Sequence, residues 1–164
     1  MRSRPQTVLS LLMEMRMTLS LRPVTADNYE AICDLDVAPE QEAFVACNMW
    51  SLVEAAYNDG HITRGIYLND EAVGFFMWVY ESPNKVSIYR FMVDQAHQRQ
   101  GIGRQAMTLA LQEIQQDSNL SYIEICYNPN NPVAKHFYAS FGFIEVGMDD
   151  DGEDMLAQIA LSNQ

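Results

Sequence analysis

The stretch that decides the fold reads VSIYRFMVD over residues 86–94, QAHQRQGIGR over 95–104 and QAMTLALQEIQQ over 105–116. The first block is rich in β-branched and aromatic residues, the composition of a strand. From Ile102 onward, Ile102, Ala106, Leu109, Ala110 and Ile114 form an i, i+3/i+4 apolar stripe interrupted only at Glu113. That periodicity predicts an amphipathic helix. Between the two lies Gln98-Arg99-Gln100-Gly101-Ile102-Gly103-Arg104. A strand entering a helix through closely spaced glycines turns unpaired backbone N–H groups outward at the helix start. Without Cβ atoms at Gly101 and Gly103, an anion can approach, and the helix dipole favours it.

Composition sets the bounds. At 164 residues, 48% apolar and 20% charged, the chain suits one globular domain with a sizeable core. No apolar run approaches the roughly 20 residues of a membrane span. Cys33, Cys47 and Cys126 stand far apart without metal-ligand spacing, so reduced thiols in a cytoplasmic protein and no metal are expected. A net charge of −12 argues against nucleic acid and suits a cationic small-molecule partner.

Residues 1–16 hold a short apolar run, Val8 to Met13, among Arg2, Arg4 and Arg16. No small-residue cleavage site follows it. They are read as an extension of unknown role, and residues 17–164 as the single domain. Leu19 to Val24 predicts a strand, followed by a helix capped at Thr25 or Asp27 and bearing Tyr29, Ile32 and Leu35. A second helix is expected from Glu40 to Tyr57, with Phe44, Met49, Leu52, Val53 and Ala56 as its apolar side. Thr63 to Leu68 and Ala72 to Tyr80 predict a hairpin. After the glycine turn and its helix, Ser121 to Tyr127 alternates like a strand. A short helix capped by Asn131 follows, carrying Ala134, Phe137, Tyr138 and Phe141. Phe143 to Met148 and Met155 to Leu161 close the chain as a hairpin around Asp149-Asp150-Asp151-Gly152. The class is α/β with a mixed sheet.

The glycine turn is neither a Walker loop nor a dinucleotide fingerprint, because the required glycine spacing is absent. Its Q-x-x-G-x-G pattern (Gln98, Gly101, Gly103) resembles motif A of the GCN5-related N-acetyltransferases, the GNAT family. Asn131, Ala134, Phe137, Tyr138, Phe141, Gly142 and Phe143 resemble motif B of that family, roughly 30 residues downstream. The element order is also similar. Over its whole length the chain is most similar to bacterial spermine/spermidine (diamine) N-acetyltransferases, through R-P-V-T, A-I-C-D-L-D-V, R-F-M-V-D and A-K-H-F-Y-A-S-F-G-F.

The resemblance implies the GNAT (acyl-CoA N-acyltransferase) fold. That is a mixed, mostly antiparallel sheet of about seven strands with about four helices and splayed central strands. It implies acetyl-CoA as cosubstrate, with Met92 and Val93 pairing their backbone to the pantetheine arm. Gln98, Arg99, Gln100, Gly101, Ile102, Gly103 and Arg104 would hold the pyrophosphate, and Asn131 would bond the cofactor arm. Tyr138 would protonate the leaving thiolate as general acid. The base is open among Glu124, Glu42 and Asp36. Animal polyamine acetyltransferases carry a Glu-Asp pair on the central strand, where this chain has Tyr89-Arg90, so that assignment does not transfer.

The acceptor reading rests on charge. Pro23 to Thr63 contains no Lys or Arg but eight acids: Asp27, Glu30, Asp34, Asp36, Glu40, Glu42, Glu54 and Asp59. Such a segment would attract a polycation, with Asp36, Glu40 and Glu42 as contacts and Trp50, Tyr29 and Tyr57 beside its methylenes. Asp149 to Asp154 is read as a polar turn, with the acceptor rim as its other possible role. A polyamine is therefore the favoured acceptor and direct transfer in a ternary complex the favoured route. An aminoglycoside, an amino acid, a protein N-terminus, or a non-catalytic coenzyme A or polyamine sensor stay open. So does a homodimer.

Overall fold

Residues 18–162 are described by a computed structural model, and the expected extension over residues 1–16 lies outside them. The hydrophobic alternation folds into one seven-stranded sheet. Its strands are β1 (Leu19–Pro23), β2 (His61–Leu68), β3 (Glu71–Ser82), β4 (Lys85–Val93), β5 (Tyr122–Tyr127), β6 (Ile144–Met148) and β7 (Met155–Ala160). In space they run β1-β2-β3-β4-β5-β7-β6. Every neighbouring pair is antiparallel except β4 and β5.

Among the described residues four helices cover the sheet: α1 (Tyr29–Cys33), α2 (Asn48–Tyr57), α3 (Ile102–Ile114) and α4 (Ala134–Ala139). Alternate residues of the central strands feed two cores. Val86, Ile88, Ile123 and Ile125 pack with Ile102, Ala106, Ala110 and Ile114 of α3. On the other face Phe75, Met77 and Met92 enclose Ile32 of α1, which is wholly buried. The stripe on α3 runs as expected, with Met107 and Leu111 also buried and Leu109 only half so. None of the described helices is long and apolar enough to cross a membrane.

The parallel pair governs the site. β4 and β5 are in register from Lys85↔Tyr122 to Ile88↔Ile125, and no pairing follows. On its other side β4 pairs Ile88 with Trp78 and Arg90 with Met77, leaving Tyr89 as the extra residue of a bulge. A bulge bends its strand. Beyond Ile88, β4 therefore leaves β5 and keeps one backbone edge free towards the gap.

Besides α1, which follows Asn28 rather than Thr25 or Asp27 and ends before Leu35, two expectations need correction. The single helix from Glu40 to Tyr57 is interrupted. A 3-10 turn occupies Pro39–Phe44, Val45 is extended at φ −137 and ψ 127, and α2 begins only at Asn48. The break turns Phe44 and Val45 onto the gap, while Asn48 is buried and donates Nδ2 to the Ile32 carbonyl at 2.8 Å. Met49 and Val53 are consequently exposed rather than core, and Trp50, Tyr57 and Tyr29, expected beside the acceptor, are exposed and line neither of the cavities described below. The second correction is smaller: α4 starts at Ala134, although Asn131 Oδ1 still accepts the Val133 N–H at 3.3 Å.

Candidate active site

Two cavities meet where β4 and β5 part. The first is floored by Phe91, Met92 and Val93 and bounded by Gln98, Arg99, Gly103, Asn131, Ala134 and Phe137. Val37, Gln41, Phe44 and Val45 close it from the α1–α2 connection. The second, more polar, is lined by Tyr89, Arg90, Cys126, Tyr127, Asn128, Glu153 and Asp154, with Ala43 to Ala46 along its edge. Phe44, Val45, Phe91, Asn131 and Tyr138 belong to both. Tyr138 thus stands on their common wall.

Aromatic packing fixes that phenol. Its ring stacks on Tyr127 at 5.5 Å and meets Phe137 and Phe143 edge-on at 5.2 and 6.0 Å. Gly142, at φ +96, takes the left-handed conformation that ends the α4 segment and returns Phe143 to the core. Burial, then the neighbouring Cys126 and Tyr127, push the Tyr138 pKa well above the ordinary phenol range. The group stays protonated at any physiological pH. Cys126 is open to the second cavity, yet enclosure by the walls, followed by the Asp154 charge, raises its thiol too.

The glycine turn has the expected backbone character. Arg99 at φ 62 and Gly101 at φ 77 are both left-handed, and Gly101 stands immediately before α3. No atom lies within 4 Å of a Cβ built on Gly101, so the approach is open. The side chains of this run diverge. Gln98 donates Nε2 to Gln41 Oε1 at 2.7 Å and to the Val93 carbonyl at 2.9 Å, tying the turn to the cover and to β4. Arg99 lines the first cavity and Gln100 is exposed. Ile102 is buried in the core, so only its backbone can face a ligand. Arg104 donates to Ser140 Oγ at 2.9 Å and lies 4.9 Å from the centre of the Phe141 ring, braced on the α4 segment.

The acids expected near the acceptor are dispersed. Glu124 is buried on β5, 2.9 Å from Lys85 Nζ, and accepts Gln158 Nε2 at 2.6 Å. It lines neither cavity. Lys85 is also 2.6 Å from Glu81. Burial opposes its charge, but the two carboxylates prevail and raise its pKa. Asp36 and Glu42 line a separate depression beside Met92, and Glu40 is exposed on the 3-10 turn. Of the acidic segment, Glu54 is paired with a residue of the second cavity's lining, 3.2 Å from Arg90 Nη2. Arg90 also donates Nη1 to the Tyr89 carbonyl, while its Nε is buried without a partner.

Sequence reasoning missed Phe44 and Val45 as cover, Cys126 as a wall residue, and Arg90 as the cation of the second cavity. The available signals were a lone arginine inside an apolar central strand and a break after Phe44 hidden in helical periodicity.

This architecture has clear relatives. Residues 29–143 match the Acetyltransferase (GNAT) family, and the chain belongs to it. Within that family of acetyltransferases it is similar to the spermine/spermidine N(1)-acetyltransferase of Bacillus subtilis (strain 168). The two are 28% identical over 150 residues, covering 87% of this chain and 99% of the relative. Among solved structures, an acetyltransferase from Thermus thermophilus superposes with a TM-score of 0.72 at 19% identity, covering 88% of this chain and 98% of the other. The spermidine N-acetyltransferase from Vibrio cholerae, in complex with CoA and spermine, gives 0.71 at 17% identity, covering 88% and 96%. At those identities the structural likeness is one of fold.

Proposed function

We propose that this acetyltransferase moves the acetyl group of acetyl-CoA onto a primary amine of a polyamine, by direct transfer with both substrates bound. The observation that carries the reading is the position of Tyr138 on the wall shared by the two cavities. The first cavity suits the pantetheine arm. It has apolar walls, a β4 edge that β5 leaves unpaired at Met92 and Val93 and whose Val93 carbonyl Gln98 would release for amide pairing, and the left-handed turn ahead of α3 for the diphosphate. Arg99 adds charge at its rim, and Asn131 reaches both cavities.

The second cavity then receives the acceptor. An amine that has lost its proton attacks the thioester carbonyl, so a C–N bond forms as the C–S bond breaks. The nitrogen, cationic once the bond has formed, releases a proton to solvent; the departing thiolate takes the Tyr138 proton, which solvent replaces, and N-acetylamine and free thiol leave. A phenol kept protonated by burial is suited to that transfer. Glu124 is held by Lys85 and Gln158, so service as the base would require it to give up an ion pair. The polyamine assignment draws on the Bacillus relative and on the Vibrio protein's spermine complex.

A second reading, an amino acid or protein N-terminus as acceptor, is favoured by Arg90. It lines the second cavity with an Nε that has no acceptor. A panel assay of thiol release separates the two, with spermine, spermidine, putrescine, free amino acids, a peptide and an aminoglycoside as acceptors. Turnover with polyamines is expected. Turnover confined to the other amines would reject the polyamine reading.

A further inference from the structure

The Tyr138 side chain makes no hydrogen bond among the described residues, so the packing of its ring alone sets where the hydroxyl points. Three aromatic rings surround it. Phe137 and Phe143 are apolar and meet it edge-on, at 74° and 77° between planes. Tyr127, the last residue of β5, lies against its face at 28°. Of the three, only Tyr127 has a polar end, and that end is tied. Its hydroxyl bonds Glu145 Oε1 on β6, reaching past β7, the strand between β5 and β6. Burial, then the bond to Glu145, lift the Tyr127 pKa to about 12, so this hydroxyl stays protonated and is the donor. Glu145 Oε2 is in turn 3.2 Å from Lys135 Nζ, on α4 three residues before Tyr138. The contacts form a closed circuit, in which one carboxylate anchors both the face under the phenol and the helix that carries it.

We propose that Tyr127, held by Glu145, is a positioning residue that aims the Tyr138 hydroxyl at the junction of the two cavities. The inference rests on the acid role of Tyr138 proposed above and deepens it. A proton donor must come within hydrogen-bond reach of the leaving sulfur, and a misplacement of about 1 Å can cost on the order of 100-fold in rate. The helix α4 has only six residues. A helix so short is not rigid by its own hydrogen bonds, so the precision comes from what it rests on. Packing alone would be served by phenylalanine at 127. The hydroxyl adds a fixed point two strands away, and Glu145 carries that point back to α4 through Lys135. Lys135 is largely exposed, so its ion pair contributes little to stability and the circuit acts on geometry.

The test follows thiol release from acetyl-CoA with the best acceptor of the panel. Tyr127→Phe keeps the stacked ring and cuts the tie. Its kcat is expected to fall roughly 5- to 50-fold, with both KM values within about 3-fold of the unmodified protein. Glu145→Ala should lose a similar factor. Glu145→Gln, whose carboxamide oxygen still accepts from Tyr127, should recover most of that loss. The decisive arm repeats Tyr127→Phe in a Tyr138→Phe background. With no hydroxyl left to aim, the further loss should stay under about 2-fold. A full multiplicative loss there would overturn the inference in favour of a merely structural tie. An unchanged kcat in Tyr127→Phe would overturn it outright while leaving the acid role of Tyr138 intact. If Tyr138→Phe alone leaves turnover unaltered, the acid reading fails and the inference with it. Should Tyr127→Phe not fold, the Glu145 variants, at an exposed position of β6, carry the same comparison in both backgrounds.

Discussion

At the scale of the residue, the proposed chemistry turns on whether Tyr138 gives up a proton. Tyr138→Phe keeps the ring that stacks on Tyr127 and removes only the hydroxyl. The expected loss is about 100-fold or more in kcat, with acetyl-CoA affinity nearly unchanged, by stopped-flow turnover and equilibrium binding. Unaltered turnover would remove the residue from the acid role. The pH profile carries a second signature. The acid works while protonated, and burial lifts its pKa above the ordinary value of about 10. The alkaline fall in kcat should therefore begin above pH 10, whereas an exposed phenol would begin it near that value. Tyr138 was legible from its place in a motif. The states of Glu124 and Arg90 were not, because each depends on a partner distant in sequence: Lys85 and Gln158 for one, Glu54 for the other.

At the scale of the element, the gap exists because β4 holds to β3 while it leaves β5. Gly74, opposite Val93, permits that hold. A Cβ built there would sit 2.5 Å from the Met92 carbonyl oxygen and 2.7 Å from Ile66 Cδ1. Gly74→Ala should push β4 away from β3 at the residues proposed to pair with the cofactor arm. The expected cost is about 1–3 kcal/mol of stability, with the thermal midpoint falling roughly 2–4 °C per kcal/mol. A raised KM for acetyl-CoA should accompany it. A protein with unchanged midpoint and KM would show that the strands give way at no cost. Elements with a clean period, such as β3, β4 and α3, were readable within a few residues. The Glu40–Tyr57 helix was misread because local periodicity cannot register what overrides it. The carboxamide of Asn48 binds the Ile32 carbonyl, and Phe44 and Val45 are drawn over the cavity.

At the scale of the molecule, a chain of net charge −12 gathers its few cations into specific partnerships. Lys85 sits between Glu81 and Glu124, Arg64 on Glu113, Arg90 on Glu54, and Arg104 on the α4 segment. The sign of the whole was legible from composition. Its distribution was not, since the sheet brings the turn before β7 beside the bulge of β4 across many intervening residues, and only topology does that. The proposed function puts both substrates in this one gap: the cofactor arm along the β4 edge that β5 leaves unpaired, and the amine beyond the phenol. A crystal structure of the protein with acetyl-CoA tests that most directly. The expected result is a pantetheine arm paired with β4 at Met92 and Val93, its thioester sulfur within hydrogen-bond reach of Tyr138 Oη. An arm bound elsewhere, or a phenol turned away from the sulfur, would contradict it.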